Sequence, residues 1–166
     1  MNKEKELKIP YRDTTIPKER SKADIEKLLT DHGVRDVQWT TYHGETTLRF
    51  VWQLIVKGVE KEILFQFAPP LITANKRIWS QVDQKTIKAN VQLDNTAYRL
   101  LWHYLKNKLM AVQWGMETME REFLSHAVVS LPTGEVTTVG ENIMAVFETV
   151  RSPALTYHSE NKEVTN

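Results

Sequence analysis

Lys76, Arg77 and Trp79 fall within one short stretch, Lys85 and Lys88 follow, and Arg99, His103 and Lys106 recur at steps of four and three residues. Steps of that size place the last three on one face of a helix. Cations that track phosphates, beside a ring on which a base can stack, are the equipment of a protein that binds single-stranded nucleic acid. Trp79 is the ring available for that task, because Trp39, Trp52 and Trp102 stand at positions that suit a core. The ordinary alternative is a solvated helix face that pairs with acids elsewhere in the chain. Those acids exist: residues 71–114 carry seven Lys or Arg against Asp83 and Asp94, whereas residues 115–166 carry eight acids against Arg121, Arg151 and Lys162. A net charge of +1 therefore conceals two opposed segments, a pattern that points to polyanion contact or to internal pairing.

Two other groups have reactive side chains. Glu117, Glu120 and Glu122, with Asp94 or Glu141, are the carboxylates a divalent cation would need in a metal-dependent nuclease or hydrolase. The plainer reading, which we prefer, is the acidic first turn of an exposed helix. His43 and Glu45 flank Gly44 and could exchange a proton, but adjacent residues on a tight turn point apart, so turn chemistry accounts for them better.

Most other chemistry has no residues to perform it. The chain has no cysteine, which removes disulfides, thiolate zinc sites and cysteine nucleophiles and is compatible with a reducing compartment. His32, His43, His103, His126 and His158 show no metal-binding spacing, and the six glycines stand singly, so no phosphate-cradling loop or nucleophile elbow occurs. No residue is assigned to catalysis, to a metal or to a cofactor. No apolar run is long enough to span a membrane, and the first residues lack the apolar core of a signal peptide; the expected location is cytoplasmic.

The elements that must position these residues are organised around Val34–Phe67. Val37, Trp39 and Thr41 alternate with polar neighbours, as do Leu48, Phe50, Trp52 and Leu54, and then Ile63, Phe65 and Phe67. Breaks at His43-Gly44-Glu45 and Lys57-Gly58 make this an antiparallel meander of three strands with one heavily aromatic face. Before it, Ser21 and Asp24 match a capping box that opens a helix, and Gly33 stops it; His32 is a last-turn residue facing the helix dipole. Tyr11 to Ile16, between Pro10 and Pro17, reads as an edge strand or a strap. After the meander, Pro69 and Pro70 end the pairing. Residues 71–84 have no clear pattern, which leaves Lys76, Arg77 and Trp79 in a loop, and Ile87 to Leu93 alternate as a short strand.

Residues 95–114 carry the strongest helical signal, capped by Asp94 or Asn95 and stopped by Gly115. Roughly 30 Å long, this helix is the expected main lid over the aromatic face, and the earlier helix opened at Ser21 is expected to pack on the meander too. Thr118 caps a short acidic helix from Met119 to Ser125. A hairpin follows, Ala127–Leu131 and Glu135–Val139 across Pro132-Thr133-Gly134, then a last helix from Glu141 to Val150. The expectation is one α+β domain over residues 21–151, an antiparallel three-stranded meander covered by a long helix, with a C-terminal β-hairpin and helix. An extended leader (1–20) precedes it and a mobile polar tail (152–166) follows.

The stretches Ile9-Pro10-Tyr11-Arg12-Asp13-Thr14-Thr15, Ser21 to Leu29 and Glu120-Arg121-Glu122-Phe123-Leu124 resemble those of small proteins carried by phages and other mobile elements, which implies a DNA-handling or accessory role. The order helix, three antiparallel strands, long helix also resembles single-strand annealing proteins, although this chain lacks their strongly basic balance. Taken with the residues, the leading expectation is a non-catalytic accessory protein contacting nucleic acid, single-stranded by preference, through Lys76, Arg77, Trp79, Arg99, His103 and Lys106. A protein–protein adaptor or homo-oligomer subunit is the alternative, and a metal-dependent nuclease using Glu117–Glu122 the third.

Overall fold

The computed structural model describes residues 8–81 and 84–149. In chain order the elements are α1 (Lys18–Asp31), β1 (Arg35–Tyr42), β2 (Glu45–Val56), β3 (Val59–Phe67), β4 (Thr73–Ser80), β5 (Lys85–Gln92), α2 (Asp94–Gln113), α3 (Met119–Phe123), a single 3₁₀ turn (Leu124–His126), β6 (Val128–Ser130), β7 (Val136–Thr138) and α4 (Val139–Thr149). The fold is mixed α+β, with the meander β1-β2-β3, the C-terminal hairpin β6-β7 and the helix α4 that the sequence predicts. Among the described residues no helix is long and apolar enough to cross a membrane.

The meander is held in register by two-residue turns. His43 and Gly44 have φ of 48° and 83°, and Lys57 and Gly58 have 51° and 79°. Left-handed conformations at both central positions match the twist of the strands they join, and a glycine at the second position adopts one without strain. The resulting register sets Leu48 opposite Phe67 and Phe50 opposite Phe65, so four large side chains share one face. All four are buried, with Ile25 and Leu29 of α1, Leu101, Leu105 and Leu109 of α2, and Phe123 of α3.

As expected, α2 covers the aromatic face and α1 packs on the meander as well; the two lie side by side, with Phe123 filling the remaining space. Width explains this: three strands span roughly 14 Å across the ladder, more than one helix about 10 Å wide can cover. Phe123 lies 6.2 Å from Phe50, 5.8 Å from Phe65 and 5.6 Å from Phe67, centroid to centroid. The opposite face of the meander is mixed: Val51 stands opposite Leu64 and Ile55 is exposed, while Arg49 donates to Gln66 (2.9 Å) and Gln53 to Glu62 (3.2 Å).

The helix starts are also set by tertiary contacts. α1 begins at Lys18, so Ser21 and Asp24 lie inside the helix and form no capping box; Pro17 is the cap residue, and Ser21 N–H donates to its carbonyl. The Lys18 N–H donates instead to Asn95 Oδ1 of α2 (3.0 Å), while the Lys18 ammonium binds Asp94 (3.0 Å). Asp94 and Asn95 thus serve α1 rather than capping their own helix, whose cap position is Leu93. A capping box does occur, at Thr138 and Glu141: Thr138 N–H donates to Glu141 Oε2 (2.9 Å), and Glu141 N–H donates to Thr138 Oγ1 (3.3 Å). α1 ends as predicted, with Gly33 N–H on the Thr30 carbonyl and Val34 N–H on that of Leu29, the paired bonds of a Schellman stop.

Residues 73–80, unassigned from sequence, form β4. It pairs with β5 from Thr73↔Gln92 to Ser80↔Lys85 as a two-stranded sheet separate from the meander. Tyr11 to Ile16 is a strap and not an edge strand. Thr14 N–H donates to the Tyr11 carbonyl (3.0 Å), and the Thr96 hydroxyl of α2 lies 3.2 Å from the carbonyl oxygens of Tyr11 and Arg12. Residue 150 and the expected tail, like residues 1–7 of the leader, lie outside the described residues.

Because Asn95 supplies the acceptor that caps α1 from another helix, Asn95→Ala should lower unfolding free energy by about 1 kcal/mol. Urea denaturation followed by circular dichroism measures this, with the midpoint falling and the slope unchanged.

Candidate nucleic-acid interface

The six residues expected to form one basic surface fall on two different elements. Lys76, Arg77 and Trp79 lie in β4, where register sets them opposite Ala89, Lys88 and Thr86. Strand alternation puts positions 75, 77 and 79 on one face with positions 86, 88 and 90. That face therefore carries the Arg77–Lys88 pair, both exposed, with exposed Asn75 and Asn90 beside them. The side chains of Lys76 and Trp79 lie outside those described. No ion pair among the described residues reaches Arg77, Lys85 or Lys88. The stretch is an exposed strand and not the loop the sequence suggested. Register places Ala74, Ile87, Ala89 and Val91 on the other face, together with positions 76 and 78.

Arg99, His103 and Lys106 do share one face of α2, but that face is already engaged. The Arg99 guanidinium binds Asp24 of α1 at 3.1 Å with 15% of its side chain exposed. It also lies 3.9 Å from the centre of the Trp102 ring, over which the Lys106 ammonium sits at 5.0 Å. His103 stacks on Tyr11 of the strap at 4.2 Å and 9°, with the Trp102 ring edge-on at 4.6 Å. Tyr11 and Trp102 are the residues that sequence reading missed here. Trp102 was legible in principle, since it stands three residues after Arg99 and four before Lys106, the spacing of helix neighbours. Tyr11 carries no such signal, being joined to His103 only by folding.

The acidic third answers one cation. Lys108 donates to Glu122 Oε1 and to the Glu122 carbonyl, each at 2.8 Å, and its ammonium lies 5.0 Å from the Tyr104 ring. Glu122 holds the Lys108 ammonium above its ordinary pKa, although burial alone would lower it. The other two carboxylates have separate partners. Glu120 accepts from the Trp52 indole at 3.1 Å, and Glu117 lies 3.7 Å from Arg121. Among the described residues no group of three His, Asp or Glu side chains is placed to hold a metal. At the β1–β2 turn the His43 ring packs edge-on to Tyr42 (4.1 Å), and no hydrogen bond between His43 and Glu45 is present among the described residues.

Comparison of the chain with protein-family models, with curated proteins and with solved structures gives no match.

Two histidines have native pKa values below the ordinary 6.5. Burial is the main cause at His103, aided by Arg99 and Lys106. At His126 burial again leads, with Lys108 adding to it, and the ring is held between Phe67 (4.1 Å, stacked) and the Tyr104 hydroxyl (2.9 Å). Both rings therefore take up a proton more readily in the unfolded chain than in the native one. Stability from this source is complete above pH 6.5 and is lost as pH falls through the native values. The thermal midpoint should drop between pH 7.5 and pH 5, and His126→Gln should flatten that dependence when melting is followed across the series.

Proposed function

We propose that the chain is a non-catalytic accessory module, cytoplasmic and of the kind carried by phages and mobile elements, that contacts single-stranded nucleic acid through the β4–β5 ribbon. The observation that carries this reading is the Arg77–Lys88 pair. Like charges directly opposite one another across two strands oppose pairing, and no carboxylate among the described residues relieves them. A polyphosphate laid on that face would relieve them. The α2 residues play a lesser part: Arg99 ties α1 to α2, and His103 lies beneath Tyr11.

Fluorescence anisotropy of labelled oligo-dT, titrated at several salt concentrations, tests the reading. Removing one cation that touches a phosphate should flatten the plot of log K against log salt by about 0.7 for a single strand. Arg77→Ala with Lys88→Ala should therefore flatten it by about 1.4 and weaken binding at low salt. Arg99→Ala should lower stability by breaking the bond to Asp24 while leaving the slope in place. Absence of binding by the unaltered chain at low salt would end the proposal.

A second reading, an adaptor or oligomer subunit, is favoured by apolar side chains left exposed near the C-terminal hairpin: Leu124, Val136, Ile143 and Met144. If it is right, light scattering on purified protein should give a mass of a defined assembly, and Met144→Glu should return it to the monomer.

A further inference from the structure

A cleft of about 660 Å³ opens at the foot of the ribbon, between the first turns of α1, the β1–β2 turn and the start of α2. That volume is in the range of small-ligand sites. Lys22 forms part of its wall, and its ammonium has an unusual setting: it lies 5.1 Å from the centre of the Trp39 ring and 5.2 Å from that of Tyr98. No carboxylate among the described residues pairs with it. The nearby acids have other partners, since Asp94 holds Lys18 at 3.0 Å and Glu26, one turn beyond Lys22, accepts from the Trp39 indole at 2.9 Å. Two aromatic faces hold the cation in place but offer no acceptor for its N–H groups. Across the cleft the hydroxyls of Thr41 and Thr46 meet at 3.1 Å, and a bound oxygen could accept from either.

The cleft is continuous with the ribbon. Alternation along β5 puts positions 88, 90 and 92 on one face, and Gln92 also lines the cleft. From Lys88 to Gln92 is roughly 13 Å along the strand, so a chain lying on the ribbon's charged face reaches the wall of the cleft that Lys22 also lines. With Lys18 and Asp94 neutralising each other, Lys22 and Glu45 leave the lining neutral overall, which opposes a dianion more than a group with a single negative charge.

We propose that this cleft seats one phosphodiester of a single-stranded nucleic acid, its oxygens taking hydrogen bonds from the Lys22 ammonium and from the one hydroxyl of the Thr41–Thr46 pair whose proton is free. The proposal rests on the ribbon reading above and adds a second anchoring point to it.

The test titrates the full chain with the dinucleotide dTpdT, with long oligo-dT and with inorganic phosphate, following tryptophan fluorescence, to which Trp39 beneath Lys22 contributes. Lys22→Gln should weaken dTpdT binding about tenfold, as expected when a hydrogen bond to a charged group is removed; Lys22→Arg should restore most of it. Thr46→Val, which keeps the shape of the side chain, should weaken it severalfold. Arg77→Ala should weaken oligo-dT binding more than dTpdT binding, because only the longer chain reaches both the ribbon and the cleft. If oligo-dT binding falls with Arg77→Ala but neither Lys22→Gln nor Thr46→Val alters dTpdT or oligo-dT binding, the cleft assignment is overturned and the ribbon reading stands. Phosphate binding as tightly as dTpdT would overturn the assignment of a diester. Should the unaltered chain bind no oligo-dT at low salt, both the ribbon and the cleft assignments fall.

Discussion

The structure depends on one requirement, that the aromatic face of the meander be kept from water. Phe50, Phe65 and Phe67 form a continuous surface, with Phe50 stacked on Phe67 at 5.5 Å and Phe123 set against all three. A fully buried side chain of this size contributes about 1.5–3 kcal/mol relative to exposure, which makes the cluster a large share of a small domain's stability. Covering it takes two helices and a short third one. Every later feature follows from how those helices are brought together.

Docking α1 against α2 explains the fate of the basic helix face. Arg99 reaches across to Asp24, Asn95 accepts the first amide of α1, and Asp94 binds Lys18. Partly buried, charge-assisted bonds of this kind are worth more than exposed ones, so Arg99 is better retained by its partner in α1 than given to a mobile ligand. Lys108 is held in the same way by Glu122, joining α2 to the short acidic helix. The middle segment's excess of cations thus divides into two populations. Those on α2 hold helices together or lie on aromatic rings, and Arg77, Lys85 and Lys88 of the ribbon face solvent.

The ribbon owes its position to the prolines before it. Pro69 and Pro70 cannot donate to a ladder, so the chain leaves the meander after Phe67 and pairs anew as β4 and β5. A two-stranded sheet carries little stability alone; the Leu93 amide on the Ile72 carbonyl at 2.7 Å closes its base, and buried Leu93 leads directly into α2, where its carbonyl accepts from the Ala97 amide. This leaves one face of the ribbon open and brings its base to the cleft that Lys22 lines. The surface proposed to bind is therefore built from residues that the core does not need.

Local sequence determined the meander with its turns, the long helix, the hairpin near the C-terminus and the glycine stops, because alternation, helical spacing and turn residues act over a few positions. The short acidic helix capped by Thr118 was legible for the same reason, and its cap forms through the Arg121 amide. What lay beyond reach were contacts between residues far apart in the chain. Ser21 and Asp24 have the residue types of a capping box, yet Pro17 and Asn95 begin the helix earlier, and Asp24 is drawn to Arg99. The pattern in 71–84 was obscure because strand alternation there is mixed: Lys76 falls in the series of Ala74 and Ile78, and Trp79 in that of Asn75 and Arg77. Which cations remain available to a ligand was decided by the tertiary structure alone: charge counts where partners meet in space, and an arginine's nearest carboxylate can come from a helix 75 residues away.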